Sequence, residues 1–454
     1  MRNIQINSKL IQPGDIFVAI PCKDVENHIA EAFQRGAGIV FAEHSENPHI
    51  ISVKDARLVA SKLAKLLYPE QPKICIAITG TNGKSSTAHF LSQIWSYSGK
   101  KSGNLGTLGL FIDQEQIEPE GITVPNLTTP DPITFHKIMQ YLKTQKVDHC
   151  VFEASSHALD QKRSHGAELT AAAFTNLASD HLDYHKTREA YLDSKLRLFR
   201  EILQNDKPAI VSMDFPEVYE SVLKINKNIV TFGISNQNFI KAQNIKEFPD
   251  RMVFDLMIGN EIFPGIEVKL FGSFQIMNIL CAIALAYASD VSIHDILKTL
   301  PKIKPLNGRM EHIRSIKGGN VYVDFAHTTD GFKNALECFK KACHGRLICV
   351  FGCGGDRDKS KRPEMGVIAS EIADVVIITD DNPRTESPAE IRHQILEKCP
   401  KGIEIADRME AIQYAISLIQ PGDFVAVIGK GHENYQIYGN EIRHFNDREE
   451  ILSD

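Results

Sequence analysis

The sequence predicts an α/β protein of more than one domain, built on parallel sheets. Three observations lead there. Short apolar runs such as Ile74–Thr79, His149–Ala154 and Leu347–Phe351 recur along the chain, with helical stretches between them. That alternation is the pattern of strands joined by crossover helices. One run leads through Thr79-Gly-Thr-Asn-Gly-Lys-Ser-Ser86 into a helical stretch, the strand–loop–helix order that a phosphate loop needs. The chain has 454 residues, and single cores stop growing beyond roughly 250–300.

Taken in order, residues 1–71 form a first block, with strands at Asp15-Ile-Phe-Val-Ala-Ile and Gly38-Ile-Val-Phe-Ala and a helix from Glu26 to Gln34. Pro69 and Pro72 bracket a linker, because proline interrupts both regular structures. The second block, 72–306, carries the phosphate loop and further strands at His149–Ala154, Ala171–Leu177 and Pro208–Met213. Near its end the pattern turns to alternation, in 251–258 and 266–270 with Gly259-Asn260 between, which predicts antiparallel strands. Ser273 to Ala288 then reads as a buried helix, and Pro301 and Pro305 mark the next boundary. The third block, 307–454, alternates again, with strands at Val321–Phe325, Leu347–Phe351, Val375–Thr379 and Phe424–Ile428. Helices at 330–342, 361–372, 388–398 and 407–419 make it a second, doubly wound α/β domain.

Hydrophobic residues make up 43% and charged residues 24% of the chain, an ordinary globular composition, and the formal charge is −6. That charge argues against nucleic-acid binding as the main role. No run is long enough to span a membrane and the N-terminus lacks a signal-peptide core. The nine cysteines lie mostly in apolar runs without a C-x-x-C pair, so reduced thiols and a cytoplasmic location are expected. Cys349 and Cys353 have no partner at zinc spacing.

In Gly80-Thr-Asn-Gly-Lys-Ser85, the glycines let backbone N–H groups crowd around phosphate oxygens, and the next helix points its positive end at them. Lys84 would neutralise phosphates and Ser85 would hold magnesium. The alternative is a tight turn with an incidental lysine. Glu153 ends an apolar strand in Glu153-Ala-Ser-Ser-His157. It reads either as a magnesium ligand at a sheet mouth or as a solvated strand-end carboxylate. Polar groups cluster in Asn176-Leu-Ala-Ser-Asp-His181-Leu-Asp-Tyr-His185. Read alone, Gln161 and Arg163 are surface residues, Thr128-Thr129-Pro130 is a turn before a helix, and Lys195 is an exposed helix lysine.

GTNGKS resembles the phosphate loop of the Mur ligases, the ATP-dependent amino-acid ligases of peptidoglycan synthesis. The resemblance runs from Asn7-Ser8 to Gly431-His432-Glu433, with the motifs in family order. It implies a three-domain architecture: an N-terminal UDP-substrate domain, a central phosphate-loop domain and a C-terminal Rossmann-like domain that binds the amino acid. ATP would be held by Gly80, Thr81, Asn82, Gly83, Lys84, Ser85 and Ser86, with Asn278, Arg309, Asp324 and His327 serving adenine, ribose and phosphate. Arg309 begins the third domain and could close onto ATP. Two magnesium ions are implied, with Ser85, Glu153, His181 and a carbamylated Lys195 as ligands. Lys84, Glu153, His181 and Lys195 form the implied catalytic set. The UDP-muramyl dipeptide would meet Ser8, Thr128, Thr129, Ser155, Gln161 and Arg163. The region around Ser8 and the loop Pro21–His28 depart from the family pattern, which puts the other uridine contacts in doubt.

Asp381-Asn382-Pro383-Arg384 matches the family's signature for meso-diaminopimelate, and Arg384 would pair with the distal carboxylate. Arg357, Gly429 and Glu433 would bind the same amino acid. The implied reaction is ligation of meso-diaminopimelate to UDP-N-acetylmuramoyl-L-alanyl-D-glutamate through an acyl phosphate, by a monomer that binds neither nucleic acid nor membrane. Within the family, a lysine-adding or folylpolyglutamate-type ligase is the alternative. Arg384 opposes the first and the muramyl matches oppose the second. A nucleotide-binding switch would need N-K-x-D, and Asn226-Lys-Asn-Ile229 fails its last position. A catalytically dead scaffold would have lost Lys84 or Glu153.

Overall fold

Uninterrupted apolar runs become parallel strands whose C-terminal ends carry the polar residues. The computed structural model describes residues 3–453 apart from Asn126 and Ser179. The chain divides into two units: one runs to Gln243 and takes in Asp255–Pro264 and Ile276–Lys302, and the other holds Asn244–Phe254, Gly265–Gln275 and Ile303 onward. Strands Ile240–Glu247, Met252–Ile258 and Glu261–Val268 carry residues of both.

The first unit contains a four-stranded parallel sheet of Ile4–Gln5, Ile16–Val18, Ile39–Glu43 and Ile51–Val53. Helix Ala56–Leu67 follows, capped by Asp55, whose carboxylate accepts the Leu58 N–H. A second, larger sheet runs Ser102–Gly106, His149–Glu153, Ile74–Thr79, Ala171–Phe174, Ala209–Val211, Ile229–Gly233, all parallel. The phosphate-loop strand is central, with the chain continuing to one side of it and later returning to the other. That is a topological switch point, where open α/β sheets bind ligands beyond the strand ends. Phe135, Phe152, Phe174 and Phe199 fill the core on one face. Helix Phe274–Ala288 forms as the sequence predicts, and the buried Trp95 Nε1 donates to Ser289 Oγ at 3.0 Å just beyond it.

The second unit is built on a six-stranded sheet ordered Glu311–Ile316, Gly319–Asp324, Phe424–Ile428, Leu347–Phe351, Val375–Ile378, Ile403–Glu404. Only the first pair is antiparallel. All four predicted strands and all four predicted helices of this block appear within two residues, Val321–Phe325 becoming Gly319–Asp324. The expected strand at 266–270 instead spans Glu261–Val268. Gly259, at φ +59, turns the chain so that pairing starts at once. Pro264-Gly265 hides the alternation in the first half.

Arg408 and Asp447 are both fully buried and paired, Nε to Oδ1 at 2.7 Å and Nη2 to Oδ2 at 2.9 Å. Arg408 also reaches the carbonyl of Ile428 at 3.3 Å, the last residue of its strand. Removing one partner strands a buried charge. Asp447→Ala should cost about 3–5 kcal/mol in denaturant unfolding. An Arg408→Met/Asp447→Leu double variant should recover most of that loss.

Candidate active site

Gly80 leaves the buried strand at φ +142 and Gly83 caps the next helix at φ +82. Both are closely packed: a methyl on Gly80 would lie 1.9 Å from Thr175 Oγ1, and one on Gly83 would lie 2.2 Å from Asn278 Oδ1. Asn278 thus lies beside the loop. The loop is held from the neighbouring strand end. Asn176 Oδ1 accepts the Asn82 N–H at 2.9 Å, while Asn176 Nδ2 and Thr175 Oγ1 donate to Asn82 O at 3.1 and 2.6 Å. Lys84 Nζ donates to the carbonyls of Gly80 and Thr81 at 2.9 and 2.8 Å.

Glu153 is 2% exposed, not solvated. Its Oε2 accepts from Ser85 Oγ at 2.9 Å and from Thr107 Oγ1 at 3.3 Å, and its Oε1 accepts the Thr107 N–H at 3.0 Å. Magnesium's octahedron, with bonds of about 2.0–2.1 Å, puts neighbouring ligand oxygens ~2.9 Å apart, so this serine–glutamate edge fits the ion. Among the described residues no three His, Cys, Asp or Glu side chains gather as a metal group. A cation at the Ser85–Glu153 edge would meet oxygen ligands, a carboxylate and a hydroxyl, which suits magnesium better than zinc.

Lys195 is 1% exposed, against the surface position its helix suggests. Its Nζ donates to Gly80 O at 2.8 Å and lies 4.5 Å from the Tyr191 ring centroid. Burial first, then nearby Lys84, push its pKa well below the ordinary lysine range, against the pull of Asp180. His181 is exposed, with a left-handed φ of +53. Its N–H donates to Asp180 Oδ1 at 2.8 Å and its ring meets His157 at 4.8 Å between centroids. Tyr191 joins these groups: its OH lies 3.2 Å from Thr81 Oγ1 and its ring 6.2 Å from that of His181.

Beyond the strand end, Thr129 Oγ1 donates to Glu153 O at 2.7 Å and accepts the Ser155 N–H at 3.2 Å. Thr128 Oγ1 lies 3.0 Å from Thr107 Oγ1. Arg163 Nη1 donates to Thr129 O at 2.8 Å, and its Nε and Nη2 bind Gln161 Oε1 at 3.1 and 2.7 Å. Both side chains are half-buried. Ser86 is buried on the helix after the loop. Ser8 is buried too, donating to Glu31 Oε2 at 2.6 Å and lying 3.3 Å from His28 Nδ1.

In the second unit the candidate residues cluster at the C-terminal ends of adjacent parallel strands. Asp324 is buried, accepting the N–H groups of Met310 and Ala326 at 2.8 Å each. Burial raises its pKa, with Arg309 and those N–H groups opposing. The Arg309 guanidinium lies 4.6 Å from the Phe325 ring, and His327 Nδ1 lies 3.1 Å from Phe325 O. Asn382 Nδ2 donates to Glu433 Oε2 at 2.8 Å. The fully buried Lys430 donates to the same oxygen at 3.2 Å and lies 4.0 Å from Asp381. Gly429 keeps φ +122, and a methyl there would lie 2.9 Å from Asp381 Oδ2. Arg384 Nη1 donates to Gly355 O at 2.8 Å, and Arg357 is exposed.

Sequence reasoning missed Thr107, Asn176, Tyr191 and Lys430. Asn176 opens the polar cluster that runs to His185, and Lys430 lies between Gly429 and Gly431. Tyr191 opens the segment Tyr191-Leu-Asp-Ser-Lys195, while Thr107 has no local signal, since only the fold brings it to Glu153.

This arrangement defines a phosphate-loop enzyme of α/β architecture with a second α/β unit presenting charged groups at its strand ends. The chain belongs to the Mur ligase family. The Mur ligase middle domain matches residues 78–286, and the Mur ligase, glutamate ligase domain matches 308–431. Mur ligases form amide bonds driven by ATP, and the chain is an enzyme of that kind. It is 40% identical to the UDP-N-acetylmuramoyl-L-alanyl-D-glutamate--2,6-diaminopimelate ligase of Rhizobium meliloti (strain 1021), over 99% of this chain and 93% of the relative. A solved structure of a UDP-N-acetylmuramoyl-L-alanyl-D-glutamate--2,6-diaminopimelate ligase matches at 29% identity with a TM-score of 0.74, over 99% of this chain and 94% of that one. The fold also matches the MurF ligase of Thermotoga maritima in complex with ADP, at 18% identity and a TM-score of 0.61, over 99% of this chain and 96% of that one.

Gly106 gives Glu153 its room: a methyl there would lie 2.0 Å from Oε1. Gly106→Ala should displace the carboxylate and lower ATP-dependent phosphate release roughly 100-fold, the scale of a 1 Å misplacement. Circular dichroism should show an unchanged fold.

Proposed function

We propose that the enzyme joins meso-diaminopimelate to the D-glutamyl carboxyl of UDP-N-acetylmuramoyl-L-alanyl-D-glutamate, cleaving ATP to ADP and phosphate. The observation that carries this reading is the gathering of opposite charges around Tyr435 beyond the strand ends of the second unit. Arg384 offers a guanidinium, while Asp381 and Glu433 offer carboxylates. Together they suit an amino-acid centre with both an anion and a cation. Diaminopimelate has such a centre at its distal end, and lysine has no carboxylate there. The names of the relatives support the same substrates.

In the first step the substrate carboxylate attacks the γ-phosphate, giving an acyl phosphate and ADP. In the second the diaminopimelate amine attacks the acyl carbon, phosphate leaves and a proton is lost, giving the amide. Gly80 to Ser86 would cradle the phosphates, with Lys84 neutralising the charge that keeps two anions apart. Asn278, Arg309, Asp324 and His327 would serve the rest of ATP. Ser85 and Glu153 would hold one magnesium ion, and His181 with Lys195 a second. Magnesium supplies charge neutralisation at phosphate oxygens. A bare ammonium at Lys195 would repel such an ion. Its depressed pKa favours the neutral amine, which can add to CO₂ with loss of a proton and become an anionic oxygen ligand. Ser8, Thr128, Thr129, Ser155, Gln161 and Arg163 would hold the muramyl dipeptide, and Arg357, Asp381, Asn382, Pro383, Arg384, Gly429 and Glu433 the diaminopimelate. The proposed domains are 1–71, 72–306 and 307–454. The proposed compartment is the cytoplasm and the proposed acting form a monomer. Among the described residues no helix is long and apolar enough to cross a membrane.

With ATP, magnesium and the UDP-muramyl dipeptide, phosphate release should require meso-diaminopimelate. Release with L-lysine alone would overturn the substrate assignment, and release with neither would overturn the ligase reading. Arg384→Ala should raise the KM for diaminopimelate roughly 10–100-fold, the weight of one or two charged hydrogen bonds, and leave ATP binding intact. Lys195→Ala should be nearly inactive and regain activity with added short carboxylates. Full activity without them would show that no carbamate is needed.

A further inference from the structure

Arg362 is fully buried, yet it lies outside every assigned substrate contact. Its Nη1 and Nη2 pair with Glu386 Oε2 and Oε1 at 3.0 Å each, Nη1 also donates to Gln394 Oε1 at 2.8 Å, and Nη2 to Gly354 O at 3.2 Å. Glu386 Oε1 in turn accepts the Asp356 N–H at 2.6 Å. Asp356 answers from the other side, its carboxylate accepting the Thr385 N–H at 3.2 Å and hydroxyl at 2.7 Å.

These bonds tie together the loops that follow strands Leu347–Phe351 and Val375–Ile378. The first loop carries Arg357 and the second carries Arg384. Both loops hold a non-glycine residue in the left-handed region, Asp356 at φ +54 and Arg384 at φ +52. Such backbone persists only where its surroundings fix it. The loops also touch too closely for side chains: a methyl on Gly355 would lie 1.8 Å from Pro383 O, and one on Gly354 would lie 2.8 Å from Arg384 Nη1. The Arg384 guanidinium takes its bearing from Gly355 O, one residue from the carbonyl that Arg362 holds.

We propose that Arg362 and Glu386 are positioning residues that set amino-acid specificity by fixing the Gly354–Gly355 backbone against which Arg384 is aimed. The inference rests on the reading of Arg384 as the carboxylate contact for diaminopimelate. A planar, bidentate guanidinium is required, because an ammonium cannot hold both carboxylate oxygens and a carbonyl in one plane.

The test is a double-mutant cycle on the full-length enzyme, with steady-state KM measured separately for diaminopimelate, UDP-muramyl dipeptide and ATP. Arg362→Lys should raise the diaminopimelate KM at least tenfold and leave the ATP KM within twofold. Glu386→Gln, which keeps the side chain's shape, should shift it in the same direction by less. Because the brace acts through Arg384, adding Arg362→Lys to Arg384→Ala should raise that KM no further. Losses that multiply in the double variant, or KM values that rise equally for all three substrates, would overturn the proposal. Should Arg362→Lys fail to fold, Glu386→Gln with Arg384→Ala closes the same cycle. Wild-type enzyme that releases phosphate with lysine alone would overturn the reading of Arg384 itself. Wild-type enzyme that requires diaminopimelate while the variants' losses multiply would overturn only the brace.

Discussion

Two lysines donate to one carbonyl. Lys84 and Lys195 both reach Gly80 O, at 2.9 and 2.8 Å, in a place where Lys195 has almost no contact with solvent. Two ammonium groups sharing one acceptor repel each other, and burial adds a desolvation cost at Lys195. The site can relieve this by releasing the Lys195 proton, by converting its amine to an anion, or by admitting an anionic ligand. The arrangement therefore stores a demand for negative charge beside the loop whose backbone is shaped to receive it.

The second unit solves the opposite problem. Burial raises the pKa of Asp381, and Lys430 and Arg408 oppose that rise. Lys430 stands between Asp381 and Glu433, and Arg408 is already neutralised by Asp447. Lys430 thus faces two carboxylates, and under the proposed function an ammonium of the incoming amino acid would meet the second. Arg384 supplies the separate positive group.

The architecture was legible because parallel strands buried on both faces read as unbroken apolar runs, and helices keep their own period. Some of the missed strands, such as Ser102–Gly106 and Ile229–Gly233, carry glycine or polar residues that break the apolar run, and others are ones that alternation cannot mark. Gly109–Ile112 and Glu115–Gln116 are short hairpin pieces at a sheet edge, and Tyr435–Tyr438 with Glu441–His444 form a two-stranded ribbon bridged to Arg384. The candidate site was legible where chemistry concentrates in a few consecutive residues, as in Gly80–Ser85 or Asp381–Arg384. Bottom-up reading placed Lys195 on a helix surface, because its helix has no strong apolar face to say otherwise. Its burial is a property of the packed loop and Tyr191, not of its neighbours in sequence. Thr107 is invisible for the same reason, since its role comes from a parallel strand pairing with the strand of Glu153.

Glycine is what lets distant charges meet at these strand ends. Gly80 and Gly83 belong to a motif and are expected to be special. Gly106 and Gly355 belong to no phosphate-binding pattern, yet a methyl on either would strike an oxygen at 2.0 or 1.8 Å. Neither has a left-handed φ, so the constraint at both is space and not backbone conformation. A side chain at Gly106 would take the volume of the Glu153 carboxylate, and one at Gly355 would separate the loops that aim Arg384. The positions that fix where charge sits therefore include residues with no charge and no motif, and what they contribute is the absence of a Cβ.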